Sequence, residues 1–332
     1  MSGYSHYRGR RMPWAKRLAM IGMVLVILLC GAYLALSKYA EFDSEGKKSF
    51  NLPWQREESS GGEEKPEVSL IIEEAEDPLE EMHAVEIAAL TLRERAEDGA
   101  WWENEGYNAV ILRLKEDDGL LWYTSEAAKQ GLIHENALSR AELKELLESD
   151  VYVAAKISCF RDTAAALSDM TGLGLCQSSG YIWYDDRNGH WLDPGKEEAQ
   201  DYLLALCEEL AELGFDEIVL ENAHYPIRGK LQKSDPVNSD KNGTVERFLK
   251  EVSGVFSDKE VRLSLALEEE ILFAGGSEAA GLVLEKNLAH VLRVYLQTEE
   301  PAVAETALRE LSKTAELVLY NAEEGARCDV LS

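Results

Sequence analysis

The sequence has no Cys-x-x-Cys pair, no His-Glu-x-x-His, and no Gly-x-Gly-x-x-Gly after its first strand-like run. Each absence removes a function class. The five cysteines (Cys30, Cys159, Cys176, Cys207, Cys328) lie far apart, which fits neither a zinc ribbon nor a dense disulfide framework. The six histidines are scattered, so no metal site is expected. Without the glycine fingerprint a dinucleotide has no phosphate cradle, and no cofactor is expected. Positive charge is also scarce: 34 basic residues face 62 acidic ones, for a net charge of −28. Five of those 34 fall within residues 1–37, which leaves 29 against 62 for the rest. Such a surface repels phosphate backbones, so nucleic acid is not an expected partner. Hydrophobic content of 45% is enough for a packed core and excludes wholesale disorder.

One long apolar run is present. Residues 18–36 hold 19 positions without a charge. As a helix they would span about 28 Å, close to the bilayer's hydrocarbon thickness. The run exceeds a usual signal-peptide core, and the small-residue pattern at Ala35 and Ser37 is weak, so an uncleaved anchor is expected. Arg8, Arg10, Arg11, Lys16 and Arg17 precede it, while Glu41, Asp43 and Glu45 follow. The positive-inside bias then keeps the N-terminus cytoplasmic and exports the remainder, as a single-pass cell-membrane protein. The expected organisation is a basic tail (1–17), a transmembrane helix (18–37), a polar linker (38–66) and one large domain (67–332).

Within the large domain, short apolar runs alternate with segments of helical spacing, as in a parallel sheet with crossover helices. The runs 84–90, 108–115, 151–158, 217–221, 261–267, 290–296 and 316–320 read as seven strands, with 68–72 a possible eighth. Ser139 and Glu142 form a capping-box pattern, Asp193-Pro194 marks the start of a long helix ending at Gly214, and Pro301 opens another. Repeated β-α units over this length predict an α/β fold, a TIM-like barrel. A doubly wound open sheet is the alternative.

In a parallel barrel, chemistry gathers at the C-terminal ends of the strands. The second strand ends in Lys115-Glu116-Asp117-Asp118-Gly119, the third in Cys159-Phe160-Arg161-Asp162, and the fourth in Glu221-Asn222-Ala223-His224-Tyr225-Pro226. Between the third and fourth lies a loop with Trp183, Asp185, Trp191 and Asp193. Aromatic faces beside carboxylates and amides suit a sugar, whose CH faces stack and whose hydroxyls need donors and acceptors. Each feature has a structural alternative. Asp117-Asp118-Gly119 makes a common turn, the tryptophans can be core, and Glu221 can pair with Arg113 or Lys156 on neighbouring strands.

Four segments together resemble a known family, the glycoside-hydrolase-like domain of bacterial exported proteins. Residues 108–119 (NAVILRLKEDDG) are similar to its "NAVVIDVKDDDG" strand and turn, and residues 151–162 (VYVAAKISCFRD) to its third-strand motif. Trp191-Leu192-Asp193-Pro194 resembles its W-x-D-P turn, and residues 214–226 (GFDEIVLENAHYP) resemble "GFDEIQFDYVRFP". The resemblance runs over about residues 84–322. It implies a TIM barrel of the glycosidase superfamily, acting on or recognising an envelope or dietary glycan. The departures fall at polar positions: Arg113, Glu221, His224 and Ala266 replace an aspartate, an aspartate, an arginine and an aspartate of the pattern, and Arg293 and Tyr295 stand at a changed sixth-strand ending. The C-terminal third also has room for one β-α unit fewer. The chain is thus a divergent member.

Two functions follow. The first is a membrane-anchored glycoside hydrolase working outside the cytoplasmic membrane, with Glu221 as nucleophile or base and Glu268 as its carboxyl partner. Asp117, Asp118, Asp162, Trp183, Trp191, Asp193, Asn222, His224 and Tyr225 are the expected substrate-binding residues. Arg113 is expected to hold Glu221 ionised and to oppose a general-acid role, which makes weak or absent hydrolysis the expectation. The second is a non-catalytic carbohydrate-binding or envelope-scaffold protein, which needs the aromatic residues but no poised carboxyl pair. A filled cleft with a protein partner bound elsewhere is a third.

Overall fold

The computed structural model describes residues 40–42, 48–50, 82–95, 98–320 and 327–331. The expected membrane helix and the run 68–72 lie outside the described residues. Among the described residues, no helix is long and apolar enough to cross a membrane. The chain divides into two units, Met1–Ile72 and Glu73–Ser332. Of the first, one short antiparallel pair is described, Ala40–Phe42 with Lys48–Phe50.

The second unit is built on one sheet. β1 (His83–Ala88) and β2 (Ala109–Lys115) are followed by two outlying strands, β3 (Leu121–Tyr123) and β4 (Ile133–Leu138). Then come β5 (Tyr152–Ser158), β6 (Glu217–Glu221), β7 (Arg262–Leu267), β8 (Arg293–Leu296), β9 (Glu316–Leu319) and β10 (Arg327–Leu331). The order β1-β2-β5-β6-β7-β8-β9-β10 closes on itself, because β10 pairs back to β1. Seven of these eight strands run parallel, as expected of a TIM-like barrel. β10 departs from that pattern. It is antiparallel to both β9 and β1, so the ring is completed without an eighth β-α unit.

Strand parity sets the two faces. On β5, Val153, Ala155 and Ile157 join the large core beneath the helices, whereas Tyr152 and Ala154 point into the lumen. A narrow apolar belt of Ala109, Ile111, Ala154, Val219 and Val318 crosses the lumen. Below it, the fully buried Arg293 meets Glu217 at 2.9 Å and Glu316 at 2.8 Å, and the Tyr152 hydroxyl donates to Glu217 at 2.8 Å. Arg293 therefore closes the floor of the barrel, at the end away from the chemistry. Above the belt stand Glu86 and Lys156, joined at 3.2 Å.

The helical shell comprises α1 (Ala89–Arg95), α2 (Trp101–Glu105), α3 (Arg140–Leu147), α4 (Thr163–Ser168), α5 (Glu197–Leu213), α6 (Lys241–Val255), α7 (Glu269–Phe273), α8 (Leu284–Asn287) and α9 (Pro301–Leu311). The capping box of Ser139 and Glu142 is formed at α3, and Pro301 opens α9. α5 buries Leu203, Leu206, Cys207 and Leu210 and ends on Gly214 at φ 99°, a left-handed position suited to glycine. Its start differs from the expectation. Lys196, not Asp193, is the N-cap, because Asp193 is engaged elsewhere.

Candidate active site

The turn after β2 builds one wall of the site. After a register shift in β2, Lys115 turns to the side of Ile157 beneath the helices, forms a fully buried ion pair with Asp162 at 2.9 Å, and donates to the Ser158 carbonyl. Gly119 adopts φ +84°, and a Cβ there would collide with the Asp162 carboxylate. Asp162 also caps α4, accepting from the Ala165 N–H at 2.7 Å. The Asp-Asp-Gly and Phe-x-Asp segments are thus two halves of one brace.

Five residues expected to contact substrate have structural roles instead. Asp162 is enclosed in that brace, and Asp118 is exposed at the turn, accepting from the Leu120 N–H at 2.9 Å. Trp183 is buried in the core, where its indole N–H donates to the Lys230 carbonyl at 3.1 Å. Asp193 accepts from the Gly195 and Val237 N–H groups, both at 2.9 Å, which ties the long loop to the segment before α6. Tyr225 is buried with the Lys241 ammonium 5.0 Å from its ring. None of the five lines the cleft.

At the C-terminal end of the parallel strands lies a cleft of about 210 Å³. Asp117, Trp191, Glu221, Asn222, His224 and Glu268 all line it. Asp117 is its hub. It accepts from Ser158 Oγ and Asn222 Nδ2, each at 2.9 Å, and it pairs with Arg161. Asn222 holds this place from a left-handed backbone, φ 51°, which costs a residue with a Cβ ~1–2 kcal/mol. Its amide also donates to Ser158 Oγ at 2.9 Å, so the strain fixes a side chain between two strand ends.

Arg161 and Asp185 also line the cleft, although neither was among the expected site residues. Arg161 donates to Asp185 at 2.8 Å, and the Trp191 indole donates to the same carboxylate at 3.1 Å. The other Asp185 oxygen accepts the Arg187 and Gly189 N–H groups at 2.9 and 2.8 Å. Burial pushes this carboxyl up, but the Trp191, Gly189 and Arg161 donors outweigh it and hold the group below the usual carboxylate range. Arg161 lay in plain view inside the Phe-x-Asp motif, but only the fold shows that it bridges two acids.

The two remaining carboxyl groups sit in opposite environments. Burial raises Glu221, reinforced by the negative charges of Asp117, Glu86 and Glu268, against the lowering effect of Lys156 at 3.8 Å. Burial also pushes Glu268 up, but the facing His224 ring, 3.6 Å away, outweighs it and brings Glu268 below its ordinary value. His224 Nδ1 lies 2.7 Å from the Tyr225 carbonyl, an acceptor only, so that nitrogen carries a proton, and the ring favours an ionised Glu268 only when Nε2, which faces it, carries one as well. The Arg113 guanidinium lies 3.6 Å from Glu86 and 3.7 Å from Glu116. Ala266 lines the cleft, where the family pattern has an aspartate. Among the described residues, no cluster of His, Cys, Asp or Glu has the form of a metal site.

Residues 86–267 match the model of a family described as "Putative glycosyl hydrolase domain", over more than half of the chain. No curated relative matches. Among solved structures, the chain is similar to the PgaB (BpsB) glycoside hydrolase domain of Bordetella bronchiseptica, with 16% identity, a TM-score of 0.48, and 70% of this chain and 79% of that one covered. A hypothetical protein from Ruminiclostridium thermocellum is 23% identical with a TM-score of 0.47, over 54% of this chain and 96% of its own. The glycoside hydrolase domain of PelA from Pseudomonas aeruginosa is 14% identical with a TM-score of 0.42, over 71% and 82%.

Proposed function

The chain belongs to the glycosyl hydrolase domain family matched over residues 86–267, and from that premise we propose that it cleaves a glycan at the Glu221–Glu268 cleft. The observation that carries this reading is the pair of carboxyl groups whose surroundings push their proton affinities apart. Glycoside hydrolysis needs one carboxylic acid to protonate the leaving oxygen and one carboxylate to act as base or nucleophile. A carboxyl whose surroundings raise its proton affinity is the better suited of the two to the acid role. Glu221, partly desolvated and crowded by other negative charges, is in that position. Glu268, held low opposite His224, serves as the carboxylate. These roles reverse the ones expected from sequence. Asp117, Asn222 and Arg161 supply paired polar groups for hydroxyls, while Trp191, only 4% exposed, contributes through its indole bond to Asp185 and not as an open stacking face.

The cleft volume lies below the ~300–1,000 Å³ of pockets that engulf a drug-sized ligand, which favours one enclosed sugar unit with the rest of the chain outside. We further propose that residues 18–36 anchor the protein and that the barrel is extracytoplasmic. Protease added to intact spheroplasts of an expressing strain should then release the barrel; protection of the full-length chain would defeat that topology.

The test of activity is turnover of a panel of envelope and dietary glycans by the full chain. Glu221→Gln and Glu268→Gln are each expected to lower kcat by at least ~10²-fold. Saturable glycan binding without turnover by the wild type would favour the carbohydrate-binding alternative.

A further inference from the structure

Substrate reaches Glu221 from the cleft, but the barrel lumen reaches it from beneath. The Lys156 ammonium on β5 stands 3.3 and 3.2 Å from the two Glu86 oxygens on β1 and 3.8 Å from Glu221 on β6. The Tyr320 ring, just past β9, lies 4.4 Å from the same ammonium. Lys156 and Glu86 are both buried, at 5% and 4% exposure, and neither lines the cleft. Arg113 on β2, the strand between β1 and β5, lies 3.6 Å from Glu86. One ammonium therefore serves two carboxylates, and the one out of substrate's reach takes the shorter contacts.

We propose that Glu86 and Lys156 are positioning residues that set the charge of Glu221 from inside the barrel. Glu86 draws the ammonium away from Glu221, and Glu221 is thereby left able to hold a proton. This rests on Glu221 being the proton donor of the preceding reading. Among the other charged groups acting on Glu221 are Asp117 from the loop after β2 and Glu268 from the end of β7, both negative, and Arg113 on β2 joins the same luminal cluster beside Glu86. Tyr320 and the buried Cys159 thiol also adjoin it, and burial keeps both neutral. Lys156 is the cation that favours an ionised Glu221, so the division of that cation between two acids decides the balance. Lys156 itself stays charged: burial disfavours the ammonium, but Glu221 and Glu86 more than compensate.

The signs of the two single substitutions are opposite, which a merely structural role would not produce. The experiment is a carboxyl ¹³C NMR titration of the full chain labelled at glutamate, with the Glu221 resonance identified by its loss in Glu221→Gln. In Glu86→Gln the ammonium is released onto Glu221, and its titration midpoint should fall by about one pH unit. In Lys156→Met it should rise by about as much, and in Lys156→Arg it should stay near the wild-type value. With no ammonium left to release, Glu86→Gln should add little in the Lys156→Met background, so the double variant should keep a midpoint above wild type, the non-additivity of two residues acting through one another. Shifts of the same sign, or an unmoved midpoint in the near-isosteric Glu86→Gln, would overturn the proposal even if Lys156→Met failed to fold. The titration needs no turnover. A chain that cleaves nothing would defeat the hydrolase reading and leave this one to be judged by the midpoints alone.

Discussion

Lys115 and Asp162 show how one pair of residues can decide whether the cleft exists. Both are fully enclosed, and neither can be hydrated if its partner is removed. Lys115→Met should therefore cost ~3–5 kcal/mol, because an uncompensated carboxylate remains inside. Denaturant unfolding of the variant against wild type checks this. Gly119→Ala places a methyl against the same carboxylate at a left-handed φ, and a loss of ~2 kcal/mol or more is expected from strain and displacement together. If instead Gly119→Ala unfolds with the wild-type midpoint, the turn is not braced as described. At this scale the sequence was informative in part. The positions of Asp117, Asn222 and Glu221 at strand ends could be read from apolar runs that stop at a polar residue. The division between cleft and brace could not, because Asp117, Asp118 and Asp162 share one side-chain chemistry and differ only in what surrounds them. The lumen ions left a clearer signal. Glu86, Arg113 and Lys156 interrupt otherwise apolar strands at inward parity, and that parity alone places them on the face of Glu221.

Among the elements, α3 has the clearest chemical signature. The Arg93 guanidinium bonds Glu142 at 2.6 and 3.2 Å and, with the Ser139 donors, holds its carboxyl down at about 2 against some opposition from burial. Because the folded value is depressed, this contribution is present above the ordinary glutamate range near pH 4.5 and is lost as pH falls towards about 2. Glu142→Gln should thus lower the unfolding midpoint at neutral pH, and the gap from wild type should close near pH 2. Ser139→Ala should cost ~1 kcal/mol through the lost cap. Caps of this kind, and strands bounded by runs of branched apolar residues, were readable from local pattern. β3 and β4 were not. β3 is three residues long and joins β2 through a single register pair, Lys115 with Leu121, and β4, IHENAL, has no apolar run to announce it. The long loop before α5 misled for a related reason. Asp193-Pro194 has the composition of a helix start, but the aspartate finds two backbone donors in the loops instead.

At the largest scale, the second unit is a ring whose closure depends on β10. β10 supplies pairing to both β9 and β1, so removing residues 327–332 would expose two strand edges at once. The truncated chain is expected to aggregate or to unfold without a sharp transition, which light scattering and calorimetry would show; a monomer with the wild-type midpoint would contradict it. The closing strand was not legible beforehand, because the seven-strand count stopped at residue 320, short of 327–331.

The direction of β10 also decides where the chain leaves the barrel. Running against its neighbours, it pairs Asp329 with His83 at the start of β1 and Leu331 with Leu317 near the start of β9. The path into β1 and the path out of β10 therefore both open at the floor closed by Arg293, and the cleft opens at the opposite mouth. Both described ends of the barrel segment thus lie away from the mouth. A layer of such barrels held on a support by their floors would face its medium as a field of open mouths, free to meet polymers far longer than the barrel itself.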